Sequence, residues 1–222
     1  MKAWVVDIET NGLEDATAIW CAVFRCVQTN EIKIFRYVHK NPKPLSDFLK
    51  SGEVERLIGH NIIRFDYQVL LKFGVEVPDS INIFDTLVLS LLLNYRKEGG
   101  HSLEAWGEFF GIKKSPFEDF SKWSEELEER CIGDTLLTKL LYNYTSKYWS
   151  NPSWYPSVSL EHSVTFLCVS LQKNGFSYNT ELGLALEKEL DERVSSLSKE
   201  LLEAFPKKSS LIRVIDPVLT KK

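Results

Sequence analysis

Asp7 and Glu9 place two carboxylates one residue apart, at the end of an apolar run that begins almost at the N-terminus. A β-strand alternates its faces, so both side chains point the same way, and neighbouring carboxylates cost free energy unless something neutralises them. A divalent cation would neutralise them. The alternative is a strand that runs into a polar turn at Asn11-Gly12, which has the residue types of a turn.

Two more acids follow other predicted elements. Asp66 comes just after a short apolar strand, and the carboxyl ends of neighbouring strands open onto one crevice, so this acid is expected near the first pair. The alternative for Asp66 is an acid at a helix start, stabilised by the helix dipole. Asp134 lies among apolar neighbours inside a predicted helix, 124–149, where a solvated surface acid is a poor explanation.

These four acids suggest a metal centre for phosphodiester hydrolysis. Carboxylate oxygens from three segments, with no Cys or His cluster, suit hard cations such as Mg²⁺ or Mn²⁺. Two ions about 4 Å apart would stabilise both the attacking and the leaving oxygen of an in-line displacement. The formal net charge of -4 argues against a broad basic surface for nucleic acid, so phosphate binding is expected to depend on the metal.

The composition is that of a globular protein, with 222 residues, 44% of them hydrophobic. No apolar run reaches the roughly 18 to 20 residues that span a membrane, and the first strand leaves no room for a signal peptide. An intracellular protein without membrane attachment is therefore expected. The cysteines lack paired spacing and are predicted to be small buried side chains, not zinc ligands or disulfides: Cys21, Cys26, Cys131 and Cys168.

The pattern of elements predicts an α/β fold. Three strands separated by turn signals form a meander, and alternating helices and strands follow, which favours parallel pairing. Such a mixed sheet, with helices on both faces and more helices at the C-terminal end, is typical of ribonuclease-H-like folds. The predicted strands are 3–8, 18–27, 31–38, 56–59 and 81–84, and the helices between them are 43–51 and 64–74.

A domain boundary is predicted at the segment 151–156, where two prolines together with an Asn and a Ser end the long helix before it. The chain then divides into a domain, 1–150, and a helical extension, 151–222. Within the extension, helices are predicted at 157–174 and 180–205, each with apolar residues at helical spacing.

The motifs resemble those of a known superfamily. Asp7-Ile8-Glu9, the run from Asn61 to Asp66 and the later Asp134 are similar to the three motifs of the DEDD superfamily of 3′-to-5′ exonucleases. Further stretches resemble the proofreading domain of bacteriophage family A DNA polymerases of the T-odd type, and the resemblance covers nearly the whole chain in the expected order. These stretches are 84–90, 100–107, 134–139 and 172–176.

The resemblance implies roles for the matching residues. In that family the acids matching Asp7, Glu9, Asp66 and Asp134 bind two metal ions, and a metal-held water attacks the last phosphodiester of a DNA 3′ end. Asp7 would bridge both ions, and Asp134 would hold the ion that activates water. The residues placed to contact the terminal nucleotide are His60, Asn61 and Phe65; a structural hydrogen bond is the alternative for His60, and a core position for Phe65.

Arg130 departs from the family pattern. The family carries a tyrosine four residues before the last metal-binding aspartate, or a histidine five before it, and these positions here are Arg130 and Glu129. Residues i and i+4 share a helix face, so Arg130 should point towards the metal site. An arginine stays protonated and cannot act as a base. It would donate to a phosphate, pair with Asp134 or be a surface side chain, and slow turnover is expected.

The resemblance also implies partners and alternatives. The expected partners are single-stranded or primer-terminus DNA and a polymerase domain or subunit, in the cytoplasm of an infected host cell. The chain carries none of the polymerase carboxylates of the family, so it is not expected to polymerise DNA. The alternatives are a weakly active or inactive module that binds primer ends and docks on a polymerase, and an RNA-trimming exonuclease.

Overall fold

A computed structural model describes residues 2–13, 15–112, 117 and 119–206 of the chain. The chain forms two compact units, Met1–Asn174 and Gly175–Lys222. The end of the predicted helical extension, after residue 206, lies outside the described residues. None of the described helices is both long enough and apolar enough to cross a lipid bilayer.

The first unit is built on a five-stranded mixed sheet with the strand order β3-β2-β1-β4-β5. The central strand β1 runs antiparallel to β2 and parallel to β4, and β5 continues the parallel half. The predicted mixed sheet is thus confirmed. The strands are β1 (Ala3–Thr10), β2 (Ile19–Cys26), β3 (Ile32–Arg36), β4 (Arg56–Gly59) and β5 (Asn82–Asp85).

The described helices follow the predicted order. They are α1 (Lys43–Lys50), α2 (Asp66–Lys72), α3 (Thr86–Leu93), α4 (Leu103–Phe109), α5 (Glu125–Tyr144), α6 (Ser146–Trp149), α7 (Tyr155–Asn174) and α8 (Thr180–Ala204). The starts of α4 and α5 are capped by the hydroxyls of Ser102 and Ser124, which accept backbone N–H bonds.

One predicted helix, 124–149, was wrong in its extent. The structure divides it into α5 and the short α6, and Thr145 lies between them. The buried hydroxyl of Thr145 donates to the carbonyl of Leu141 at 2.8 Å, a side-chain bond that bends helices. The propensity pattern continued through this point and gave no sign of the break.

The residues of β1 alternate between two faces, and both faces are covered. Trp4 belongs to the larger core cluster, which also contains buried residues of α1 and α2, whereas Val5 packs in a second cluster with Tyr142 of α5. Asp7 and Glu9 continue the series of Val5 because strand residues two apart share a face. Both acids therefore project from the face that α5 covers.

Helix α7 lies along the β5 edge of the first unit. Its buried Val169 belongs to the larger cluster and its buried Val158 to the second one. His162 of α7 is also buried, and its Nε2 accepts the backbone N–H of Asp85 at 2.9 Å. The domain boundary after residue 150 stays a prediction.

Three of the four cysteines are buried, as expected, but the prediction was wrong for Cys168. Cys168 lies on the part of α7 that faces a groove beside α3 and is partly exposed. All four are free thiols.

Candidate active site

The end of β1 carries the first two acids into a cleft. Asp7 pairs across the sheet with Val23, and Glu9 pairs with Cys21. The register between β1 and β2 is therefore regular as far as Glu9. Glu9 is buried to 8% exposure. The strand does run into a polar turn, but the two carboxylates lie under α5 and not in open solvent.

Asp66 is the first residue of α2 and lies beside β1. Its carboxylate oxygen accepts the backbone N–H of Ile8 at 3.2 Å, and its side chain is buried. Burial raises the pKa of Asp66 well above its usual value, and the negative charge of Asp7 raises it further. Asp66 therefore begins a helix and also lies next to the acids of the strand.

Asp134 approaches the cleft from α5, with an exposure of 6%. The register of α5 on the sheet is fixed by two partly buried contacts. The Cys131 thiol donates to the backbone oxygen of Asp7 at 3.3 Å, and the Arg25 guanidinium of β2 donates to the backbone oxygen of Ile132 at 3.1 Å. Because residue 134 follows these contacts by less than one turn, its carboxylate lies at the end of β1.

One cleft of about 710 Å³ brings all eight sequence-predicted residues together. They come from the end of β1, the turn before α2, the start of α2 and the middle of α5. The cleft is lined by Asp7, Ile8, Glu9, Thr10, Asn11, Gly12, Leu13, His60, Asn61, Arg64, Phe65, Asp66, Phe120, Arg130 and Asp134.

Several of these lining residues were not predicted from the sequence. Leu13 is 80% exposed and lines the cleft. The sequence signal for it is a leucine directly after the Asn-Gly turn, where an apolar side chain is expected to be exposed. Arg64 lies within the second motif, but its position alone did not show where its side chain points. Phe120 comes from the segment before α5, and no sequence signal connects it with the acids.

Arg130 lies inside the cleft and is not a solvated surface side chain. Its Nε is 3.5 Å from Glu9 Oε1, and its side chain is only 22% exposed. The guanidinium also lies over the ring of Phe120, 5.7 Å from the ring centroid. Helical spacing predicts Asp134 as a partner of Arg130, but it carries no information on the distance between β1 and α5 and so does not predict Glu9.

The turn between β4 and α2 presents His60 and Asn61. The Thr86 hydroxyl donates to the backbone oxygen of Gly59 at 3.1 Å and lies 3.0 Å from His60 Nδ1. A hydroxyl has one hydrogen, so His60 Nδ1–H is the donor in the second contact. The structural hydrogen bond of His60 is therefore present, and the ring also lines the cleft. Asn61 has φ +65°, a left-handed conformation that Asn tolerates better than most residues.

The donor set fits a hard cation. Ligand atoms of Asp7, Glu9 and Cys131 lie within 4.8 Å of one another. Burial raises the pKa of the Cys131 thiol well above its usual value, so this sulfur stays protonated and acts as a hydrogen-bond donor. Oxygen ligands remain, and Mg²⁺ or Mn²⁺ prefers these.

The mixed sheet and its flanking helices define a ribonuclease-H-like fold, as predicted. The NrnC nuclease of Brucella melitensis bound to pGG superposes with a TM-score of 0.62 at 18% identity, over 80% of this chain and 87% of that one. NrnC with bound Mg²⁺ gives 0.60 at 19% identity, over 80% and 88%. A family B DNA polymerase from Pyrobaculum calidifontis gives 0.51 at 14% identity, over 67% and 25%. These likenesses establish the fold.

The sequence relatives are phage DNA polymerases. The chain is 26% identical to the DNA-directed DNA polymerase of Escherichia phage T7 over 265 aligned positions, which cover 90% of this chain and 37% of the polymerase. The polymerase of Enterobacteria phage T3 matches with the same identity and coverage. The resemblance predicted from the motifs is thus confirmed, and the chain spans just over a third of these relatives. No family model matches the chain.

Proposed function

We propose that the chain is a metal-dependent 3′-to-5′ exonuclease that hydrolyses the terminal phosphodiester of single-stranded or frayed DNA. The observation that carries this proposal is the convergence of four acids, from β1, α2 and α5, in one cleft. The similarity to phage DNA polymerases over 90% of the chain supports it. In this proposal the activity proofreads DNA during phage replication in the infected cell.

The metal ligands would be Asp7, Glu9, Asp66 and Asp134, holding two Mg²⁺ or Mn²⁺ ions. When bound, such ions supply a water of lowered pKa and positive charge for the oxygens of the scissile phosphate. Burial raises the pKa of Asp66 most, and the negative charge of Asp7 raises it further. This repulsion between the two carboxylates favours any cation that enters between them.

The other cleft residues would bind and orient the DNA strand. The ring of His60, held by its contact with the Thr86 hydroxyl, lines the cleft and would contact the terminal nucleotide. Phe65 and the exposed Leu13 offer apolar surface for bases, a contact that tolerates any sequence. Arg64 is a cation in the same wall of the cleft and would contact a backbone phosphate.

Arg130 would replace the tyrosine of the family as a donor to a phosphate oxygen. It cannot take a proton from water, so the attacking water lacks the positioning hydroxyl that the family provides. In this proposal the enzyme turns over slowly, since the loss of one proton-handling group costs on the order of 10²-fold in rate.

A second candidate function is a weakly active or inactive module that holds primer ends for a polymerase. The contact between Arg130 and Glu9 favours it, because a guanidinium that occupies Glu9 competes with a metal ion for the same carboxylate. In either case we infer a polymerase domain or subunit as partner. A row of exposed apolar residues on α8 offers a docking surface: Leu182, Leu186, Leu190, Val194, Leu197 and Leu201.

The test is time-resolved shortening of a single-stranded oligonucleotide with Mg²⁺, with Mn²⁺ and with EDTA. A 5′ label should yield a ladder that shortens stepwise, and a 3′ label should be released at once as a mononucleotide. The same assay on RNA decides between DNA and RNA as substrate. The Asp7→Ala variant is the control, and cleavage that persists in this variant or in EDTA would contradict the proposal.

A further inference from the structure

The carboxylate of Asp85, at the end of β5, is fully buried and is held by backbone N–H groups. Its Oδ1 accepts from Leu87 and Asn61 at 2.9 Å each and more weakly from Val88, and its Oδ2 accepts from Ile63 at 3.1 Å. Burial raises the pKa of Asp85, and these four hydrogen bonds lower it. A buried carboxylate of this kind is costly, so its partners indicate what it does.

Two of the four donors come from the turn that precedes Asp66. Leu87 and Val88 belong to the first turn of α3, where Asp85 is the N-cap. Asn61 and Ile63 lie more than 20 residues earlier in the chain, in the turn that follows β4, at the same end of the parallel strand pair as Asp85. An N-cap needs only the first pair of contacts, so the second pair is an additional function of the same carboxylate.

The second pair of contacts holds an unusual backbone conformation. Asn61 has φ +65°, and the N–H groups of Asn61 and Ile63 both point at the Asp85 carboxylate. Loss of this carboxylate would leave the buried N–H of Ile63 and the half-buried N–H of Asn61 unpaired, and it would release the turn that carries Asn61 into the cleft.

The next residue acts on the same turn through a side chain. The Thr86 hydroxyl donates to the backbone oxygen of Gly59 and accepts from His60 Nδ1–H. It therefore fixes both the orientation and the tautomer of the His60 ring. Asp85 and Thr86 together hold the backbone and the side chains of one wall of the cleft.

Helix α7 also contacts this pair, through a hydrogen bond between His162 and the backbone of Asp85. His162 Nδ1 donates to the backbone oxygen of Val158 at 2.7 Å, so Nε2 is unprotonated and accepts the N–H of Asp85. The peptide of Asp85 is thereby fixed to α7 while its carboxylate is fixed to the turn.

We propose that Asp85 and Thr86 are positioning residues that hold the turn from His60 to Ile63 in the conformation that binds the 3′-terminal nucleotide. This inference rests on the proposed exonuclease function. It assigns substrate positioning to two residues that lie outside the set of cleft-lining side chains.

Asp85→Asn removes one of the two bonds to the turn and keeps the cap of α3. The amide oxygen still accepts at the position of Oδ1, so the cap of α3 and the bond to Asn61 remain, whereas the amide NH₂ meets the N–H of Ile63 donor to donor. We expect KM for a short single-stranded oligonucleotide to rise on the order of 10-fold or more, because small misplacements of substrate-positioning groups are costly. Binding of Mg²⁺ measured by calorimetry without DNA should change much less than KM, because Asp85 acts on the acids of the cleft only through its charge near Asp66.

Thr86→Val and Thr86→Ser form a matched pair. The valine removes the hydroxyl at nearly constant volume and should raise KM, and the serine restores the hydroxyl and should restore KM. Ser102→Ala is the control for simple destabilisation, since it removes the N-cap of α4 and should lower stability without changing KM.

The outcomes separate this inference from the proposed function. A wild-type chain that neither binds nor shortens the oligonucleotide overturns both. A wild-type chain that is active, with Asp85→Asn and Thr86→Val both at the wild-type KM, overturns only the positioning role. If Asp85→Asn does not fold, the Thr86 pair decides: rescue by serine supports the proposal, and equal KM values for valine and serine refute it.

Discussion

At the scale of single residues, the carboxylates of Asp7 and Asp66 repel each other within the cleft. The buried carboxyl of Asp66 has a raised pKa because folding removes it from water and places it near Asp7. Folding of the metal-free chain must therefore oppose this cost with packing elsewhere. Groups that bind a ligand commonly reduce the stability of the ligand-free protein, and they can be recognised by substitutions that remove the repulsion.

We expect Asp66→Asn to stabilise the metal-free protein at pH 7 by roughly 1 kcal/mol. The pKa of Asp66 in the folded state lies above its value in the unfolded state, so the ionised carboxylate lowers the stability of the wild-type protein at neutral pH. The wild-type protein regains this stability as the pH falls through the folded-state pKa. The advantage of the variant should shrink towards pH 4. Urea unfolding in EDTA at both pH values measures it, and Mg²⁺ should stabilise the wild type more than the variant. A variant less stable at pH 7 in EDTA would contradict this account.

Arg130→Tyr should raise the rate of single-strand degradation, by up to about 10²-fold, because the hydroxyl can position the attacking water. Single-turnover kinetics with saturating enzyme measures the chemical step. Arg130→Gln is the matched control, since it removes the charge near Glu9 without adding the phenol. If glutamine accelerates the reaction as much as tyrosine, the arginine inhibits by occupying Glu9; an unchanged or lower rate in Arg130→Tyr would show that Arg130 is not an impaired substitute.

At the scale of elements, α5 and α7 hold different parts of the site. Helix α5 is tied to β1 and β2 through Cys131 and Arg25, and it delivers Asp134 and Arg130. Helix α7 is tied to β5 through His162. The sheet alone would present its acids without an opposing wall, so the cleft depends on how these two helices are attached.

The attachment of α7 should weaken in acid. Burial is the main reason that the pKa of His162 lies below its usual value, so the folded chain favours the neutral ring. The contribution of His162 to stability is then fully present above about pH 6.5 and is lost as the pH falls from there towards the folded-state pKa. We expect the stability difference between the wild type and His162→Gln to change over this range, measured by urea unfolding at pH 7.5 and at lower pH. A difference that is constant with pH would mean that His162 does not titrate with unfolding.

At the scale of the whole molecule, the question is where the folded unit ends. The first compact unit extends to Asn174 and includes α7, whereas the sequence predicted a domain that ends at residue 150. Four side chains of α7 are buried in the first unit: Val158, His162, Thr165 and Val169.

A chain that ends at Asn174 should unfold cooperatively with the stability of the full chain. A chain that ends at Ser150 should lose several kcal/mol, since each buried aliphatic side chain contributes about 2 to 5 kcal/mol and the whole domain only about 5 to 15 kcal/mol. Circular dichroism melts of the two truncated chains and the full chain compare them. Equal stability of the chain that ends at Ser150 would place the boundary where the sequence predicted it.

Much of this architecture could be predicted because it is encoded locally. The alternation of β1 fixes the face of Asp7 and Glu9, and turn residues mark the ends of the strands. Contacts between distant segments could not be predicted in this way. The approach of Arg130 to Glu9 depends on the register of α5, and the hold of Asp85 on Asn61 depends on a turn conformation that leaves no trace in hydrophobic periodicity.

The thiol of Cys131 has a consequence for which metals the chain tolerates. It lies within 4.8 Å of carboxylate oxygens of Asp7 and Glu9, so a thiophilic ion such as cadmium would find a sulfur ligand that magnesium does not use. That bond requires the thiolate, and burial holds the proton on the sulfur. Burial thus favours the role of Cys131 as a hydrogen-bond donor to the backbone of β1 over a role as a ligand of soft metals.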